Sequence, residues 1–146
     1  MKKIYLSVVC LLISIPLIAQ LYVEPEKEVE CSVFLAKEGR GRAQQGLEMW
    51  DDYIFSCEDG GHVNIYDFKS ADPKPVAGFE LASSHPDNHV NNVCFGVETK
   101  RGASFPLLYI TNGKVGSELE WLCFVESITR RGKRFSSEIA QTIELD

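Results

Sequence analysis

No amphipathic helix of useful length can be drawn between residues 20 and 146, which argues against a helical bundle or an alternating α/β chain. No CxxC pair occurs and the cysteines are far apart, so a structural zinc site is not indicated. Ser83 and Ser84 precede His85, but no G-x-S-x-G frames them, and a hydrolase nucleophile is rejected. Asp51-Asp52 resembles a carboxylate pair only on paper. Adjacent strand residues face opposite sides, and a turn before Tyr53 is the simpler account. Positive charge is in the minority, with 15 Lys and Arg against 21 Asp and Glu. That balance argues against nucleic acid or an anionic membrane as the main partner. No motif names a cofactor or forces a catalytic residue.

The first residues are of a different kind. Met1-Lys2-Lys3 is followed by Ile4 to Ala19, a run without charge. A short basic start and a brief apolar run predict a secretory signal peptide over residues 1–19. The run is short for a membrane span, which takes about 20 apolar residues as a helix. The expectation is therefore a secreted or periplasmic protein with no stable membrane insertion once the signal is removed. Removing two lysines and no acid takes the net charge from −6 to −8. Residues 20–30 are charged, carry Pro25, and read as a loose leader.

The rest is organised around Asp51 to Phe68, DDYIFSCEDGGHVNIYDF. Tyr53, Phe55 and Cys57 alternate on one predicted strand, and Val63 and Ile65 on the next. Glu58-Asp59-Gly60-Gly61 lies between them, where two glycines ease a tight reversal. Cys31 to Ala36 is a candidate leading strand, a short strand precedes Asp51, and Val76 to Leu81 is a further one. The series then restarts with Val93 to Gly96, Leu107 to Thr111, Trp121 to Ser127 and Ile139 to Leu145. Ile110 follows Ile54 by 56 residues and Ile143 follows Phe79 by 64. The difference is assigned to loops over 97–105 and 128–135. Arg130-Arg131-Gly132-Lys133-Arg134 reads as a solvated hairpin turn.

After loss of the signal peptide, Cys31, Cys57, Cys94 and Cys123 remain. An oxidising compartment permits two disulfides in three pairings. Each cysteine lies in an apolar run, however, and the preferred reading is a small buried thiol. Trp50 and Trp121 read as core aromatics, with carbohydrate stacking as the alternative.

Two successive four-stranded meanders, with the Asp-Gly-Gly turn and VNIYDF after a hydrophobic strand, resemble the blades of WD40-like and YVTN-like β-propellers. Tyr66-Asp67 stands where true WD repeats have Trp-Asp. The implied fold is all-β, with a propeller-like segment over 31–146 and blades at about 43–81 and 91–145. A β-sandwich from the same strands is the alternative. Two blades fall short of the usual four to eight. The resemblance therefore implies an incomplete ring, in which Val93, Phe95, Leu108 and Ile110 lack partners and the chain self-associates.

In such folds the loop before each innermost strand and the loop between the second and third strands share a rim. Here those are Gln44-Gln45, Glu58 to His62 and Ser84 to Asn92. The densest polar group is His85-Pro86-Asp87-Asn88-His89-Val90-Asn91-Asn92. Candidate ligand-binding residues are His85, Asp87, His89, Asn91 and Asn92, with His89 and Asn91 placed nearest the channel. The plainer reading is a turn whose Asn and Asp side chains satisfy local backbone groups. The functional expectation is a module binding a protein, small molecule or carbohydrate. The alternatives are a hydrolase or lyase with a metal near His89 and Asn91, and a structural repeat without ligand.

Overall fold

A computed structural model of the chain describes residues 43–72 and 74–145. The expected signal peptide, the leader and the strand Cys31 to Ala36 lie outside the described residues. All regular elements among the described residues are strands: β1 Gln44–Trp50, β2 Tyr53–Glu58, β3 His62–Asp67, β4 Ala77–Glu80, β5 Asn92–Phe95, β6 Leu108–Thr111, β7 Leu122–Arg131 and β8 Arg134–Glu144. They form two four-stranded antiparallel sheets, ordered β1-β2-β3-β4 and β5-β6-β7-β8. The described part of the chain is thus all-β, and each sheet is a meander in which sequence neighbours pair.

The turns follow from local chemistry. Trp50 pairs with Tyr53 across Asp51-Asp52, and Asp51 takes φ 54°, a left-handed conformation that aspartate tolerates. Between β2 and β3, Gly60 and Gly61 have φ 91° and 96°, a region that residues with a Cβ rarely adopt. Gly61 is also held by space, because a Cβ there would lie 2.9 Å from the Cα of Ser84. Arg131 pairs with Arg134 across Gly132-Lys133, so the basic cluster is the expected hairpin tip.

The sheets pack face to face, with β1 against β5 and β4 against β8. Strand alternation points Phe55, Cys57, Val63, Ile65 and Phe79 at Leu108, Ile110, Phe124, Ile128 and Phe135, and all ten are buried. Phe55 is the centre, meeting Phe95 and Phe105 edge-on at centroid distances of 5.0 and 5.2 Å. Burying each such side chain stabilises by about 1.5–3 kcal/mol, and each edge-on ring pair adds about 0.5–1.5 kcal/mol. At β1 the approach to the second sheet is closer. A Cβ on Gly46 would lie 3.0 Å from the Val90 carbonyl oxygen and 2.9 Å from a Val93 methyl.

Several expectations are corrected. Leu108 and Ile110 are fully buried, and Val93 and Phe95 pack on the same core, so these four residues have their partners in the first sheet. Residues 128–135 are not mainly a loop, because β7 and β8 run on to Arg131 and from Arg134. Trp50 is 42% exposed and Trp121 62% exposed, so neither belongs to the core. Trp50 ends the edge strand β1 and touches Phe95 at 5.8 Å, while Trp121 sits in the approach to β7. Cys57 and Cys123 are buried free thiols as expected, but Cys94 is exposed. Burial, followed by the negative charge of Glu126, pushes the Cys57 thiol up to about 12.

Candidate functional site

The segment 81–91 joins the two sheets, and backbone hydrogen bonding dictates most of its composition. Asn88 is fully buried. Its Nδ2 donates to the Ser83 carbonyl at 2.9 Å, and its Oδ1 accepts from the Val90 amide at 3.2 Å. The Gly60 amide donates to the Asn88 carbonyl at 2.7 Å, and the His85 amide to the Gly60 carbonyl at 3.2 Å. These bonds seat the segment on the β2–β3 turn. Asn112 Oδ1 accepts from the His89 amide at 2.9 Å and so ties the segment to the end of β6. The plain reading of an Asn-rich turn therefore describes Asn88 well.

The proposed ligand residues separate into different surroundings. His85 is exposed and lines a cleft of about 220 Å³ with Glu58, Asp59, Gly60, His62, Glu80, Ser84 and Pro86. Asp87 is ion-paired with Lys114. The hydrogen bond from that ammonium, reinforced by its charge, holds the Asp87 carboxyl below the usual aspartate range. His89 Nε2 lies 3.4 Å from Asp59 Oδ1. Asn91 sits so close to Gly113 that a Cβ there would overlap its amide. Asn92 is the first residue of β5, pairs with Thr111, and is exposed. The structure thus brings His85 to the cleft and engages Asp87 and His89 in pairs beside it. Asn91 and Asn92 do not join the cleft.

The cleft is built from the end of the first sheet. Glu58 and His62 lie one step beyond the Cys57–Val63 pair, and His62 pairs with Glu80 on β4. Cross-strand partners share a face, so Glu58, His62 and Glu80 form a row. His62 Nδ1 is 2.9 Å from Glu80 Oε1, and its ring lies over Gly78, where a Cβ would be 3.1 Å from Nε2. Ser84 Oγ donates to the Gly60 carbonyl at 2.8 Å. Asn64 Nδ2 donates to Glu58 Oε1 at 2.7 Å. Glu58 is fully buried, and its Oε2 has no hydrogen-bond partner among the described residues. Among the described residues, no three His, Cys, Asp or Glu side chains are grouped so as to hold a metal ion.

The sequence places Glu58 in the rim turn between β2 and β3 without making it a ligand residue, and nothing in the spacing marks it as buried. Sequence reasoning passed over Glu126, where a signal was present. Glu126 falls in phase with Phe124 and Ile128, so a carboxylate was due on the core face. A second cleft, of about 430 Å³, lies at the opposite end between Trp50, Tyr53, Ser104, Phe105 and Arg130. There the Arg130 guanidinium lies 4.9 Å from the Tyr53 ring centre.

No family model matches the chain, and no curated protein matches it. Among solved structures it is similar to KlHsv2 with loop 6CD replaced by a Gly-Ser linker, with 11% sequence identity and a TM-score of 0.46. The match covers 72% of this chain and 31% of that one. A likeness of that size assigns neither fold nor function.

Proposed function

We propose that this protein is a secreted or periplasmic binding module built of β-propeller-like blades, with its ligand at the end where 81–91 meets the β2–β3 turn. The observation that carries the reading is the stacking. β1 lies against β5 and β4 against β8, so the first and last strands of one meander face their counterparts in the next. Successive propeller blades stand in that relation. The cleft beside His85 supports the choice of end, because it gathers charged and hydroxyl groups on a braced backbone. The ligand is a protein segment, a small molecule or a carbohydrate. A metal-assisted hydrolase near His89 and Asn91 has less behind it, since His89 is engaged with Asp59 and Asn91 packs at Gly113. Export rests on residues 1–19 alone.

A panel of peptides and sugars screened by amide NMR shifts tests the binding reading. Ligand-dependent shifts centred on Gly60, His62, Ser84 and His85 support it. Hits confined to the end with Trp50 and Arg130, or no hits at all, would overturn it. Self-association belongs to the same proposal, because a ring takes about four to eight blades. Light scattering with thermal melting tests that part. A monomer that melts sharply at low concentration would move the reading to a β-sandwich.

A further inference from the structure

The cleft at the opposite end, between Trp50 and Arg130, is a site apart from the one proposed above. Trp50 and Tyr53 are cross-strand partners and so share a face, the one turned to the second sheet. Tyr53 packs on the core there, and Trp50 meets Phe95 of β5 at 5.8 Å. Arg130 comes from that second sheet, beside its buried strand partner Phe135. The three side chains thus converge on the mouth of the space between the sheets. Trp50 is nevertheless 42% exposed, so a broad apolar surface stands open on the inward side of its strand. The opening, about 430 Å³, falls within the range of about 300–1,000 Å³ usual for small-molecule sites.

Arg130 is held in place by its own surroundings. Its Nε donates to the Gly132 carbonyl at 2.8 Å, and the guanidinium lies 4.9 Å from the Tyr53 ring centre. The two terminal nitrogens make no hydrogen bond or ion pair among the described residues. Asp51 is also in the lining, and its carboxylate makes none either. The Lys69 ammonium, which feels the charge of Asp51, is bonded to Asp52 instead.

We infer that this mouth binds a neutral sugar ring, stacked on Trp50 and hydrogen-bonded by the terminal nitrogens of Arg130. The charges of the lining decide against the alternatives. An anion would meet the Asp51 carboxylate, and a cation the Arg130 guanidinium. A wholly apolar guest would take water from the guanidinium donors and put nothing in its place, which is costly. A sugar ring carries a C–H face for the indole. The hydroxyls round its edge accept from a guanidinium and donate to a carboxylate.

The test titrates the full chain with the methyl glycosides of glucose, galactose and N-acetylglucosamine, followed by indole and amide NMR shifts. Trp121, 62% exposed at the other end of β7, is the internal control. The expected result is a saturable shift of the Trp50 indole N–H with at least one glycoside, joined by shifts at Tyr53 and Gly132, while Trp121 stays still. Trp50→Ala and Arg130→Lys should each weaken binding roughly tenfold or more, the second because lysine keeps the charge but loses the fork. If neither variant folds, charged sugars on the unaltered protein decide. The methyl glycosides of glucuronic acid and glucosamine should bind less tightly than the best neutral one, and equal or tighter binding of either would overturn the choice of a neutral ligand. Equal movement of Trp50 and Trp121, or no shift with any glycoside, would overturn the inference. Shifts centred on Asp67, Val76 and Lys133 would overturn it too, by placing the sugar in a smaller hollow of about 190 Å³ that Tyr53 and Arg130 also line. Shifts at Gly60, His62 and Ser84 alone would overturn it and support the site at the other end, so the two readings fail separately.

Discussion

Glu126 on β7 reaches across the sheet interface to Ser83, whose backbone amide donates to its Oε1 at 2.8 Å. Oε2 of the same carboxylate accepts from the neighbouring Ala82 amide at 3.0 Å. A fully buried charge on the second sheet thus anchors the segment that leaves the first. Two hydrogen bonds from backbone amides compensate its removal from water.

Glu126→Ala is expected to destabilise the fold by about 3 kcal/mol, since each donor left unsatisfied costs about 1–3 kcal/mol. The loss at Ala82 is partly offset, because its amide also lies 2.8 Å from Ser137 Oγ. Urea unfolding measures the change. A shift below about 1 kcal/mol would show that the interface does not depend on this carboxylate.

Gly61→Ala is expected to be more destabilising than Gly132→Ala. Both positions have positive φ, and a left-handed alanine costs about 1–2 kcal/mol. At Gly132 a Cβ would meet no atom within 4 Å, whereas at Gly61 it would lie 2.9 Å from the Cα of Ser84. Paired thermal melts check the order, and equal losses would mean that the segment 81–91 gives way freely.

Alkylation of the native protein is expected to label Cys94 far ahead of Cys57. Cys94 is exposed, while burial and the charge of Glu126 push the Cys57 thiol up to about 12 from an ordinary value of 9.0. The thiolate is the reacting form, so Cys57 stays inert near neutrality. Peptide mapping by mass spectrometry reads the sites.

The raised pKa of Cys57 also sets a pH dependence. Its contribution to stability is whole below about 9 and is lost as pH rises toward about 12. The loss is on the order of a few kcal/mol, since a tenfold change in proton affinity is worth about 1.4 kcal/mol. Cys57→Ala should flatten the fall in stability across that window. An unchanged slope in urea melts at alkaline pH would assign the fall to other groups.

Lys114→Met is expected to return the Asp87 carboxyl upward toward the usual aspartate value of about 3.9. The hydrogen bond and charge of Lys114 now hold it lower. Carboxyl carbon NMR titration checks this. A titration unmoved by the substitution would show that the pair does not form in solution.

The order of the strands was legible in the sequence because alternation is a local property. Tyr53, Phe55 and Cys57, then Val63 and Ile65, mark their strands whatever lies across from them. The turns were legible for the same reason, with Gly60-Gly61 and Gly132 at the reversals. Other features were decided only when the two sheets met. Trp50 reads as core by residue type, yet it ends an edge strand, and position in a sheet is not written in period-two alternation. Val93, Phe95, Leu108 and Ile110 read as a face without a partner. Tertiary packing set them against Phe55 and its neighbours. His85, Asp87, His89, Asn91 and Asn92 are close in sequence, but segment 81–91 fans them out because its bonds to Gly60 and Asn112 fix the backbone. Glu58, His62 and Glu80 come from three strands and share a face only through pairing register. Sequence settled what each stretch could form. Long-range packing settled which side chains were buried, because burial depends on what a folded chain lays over them.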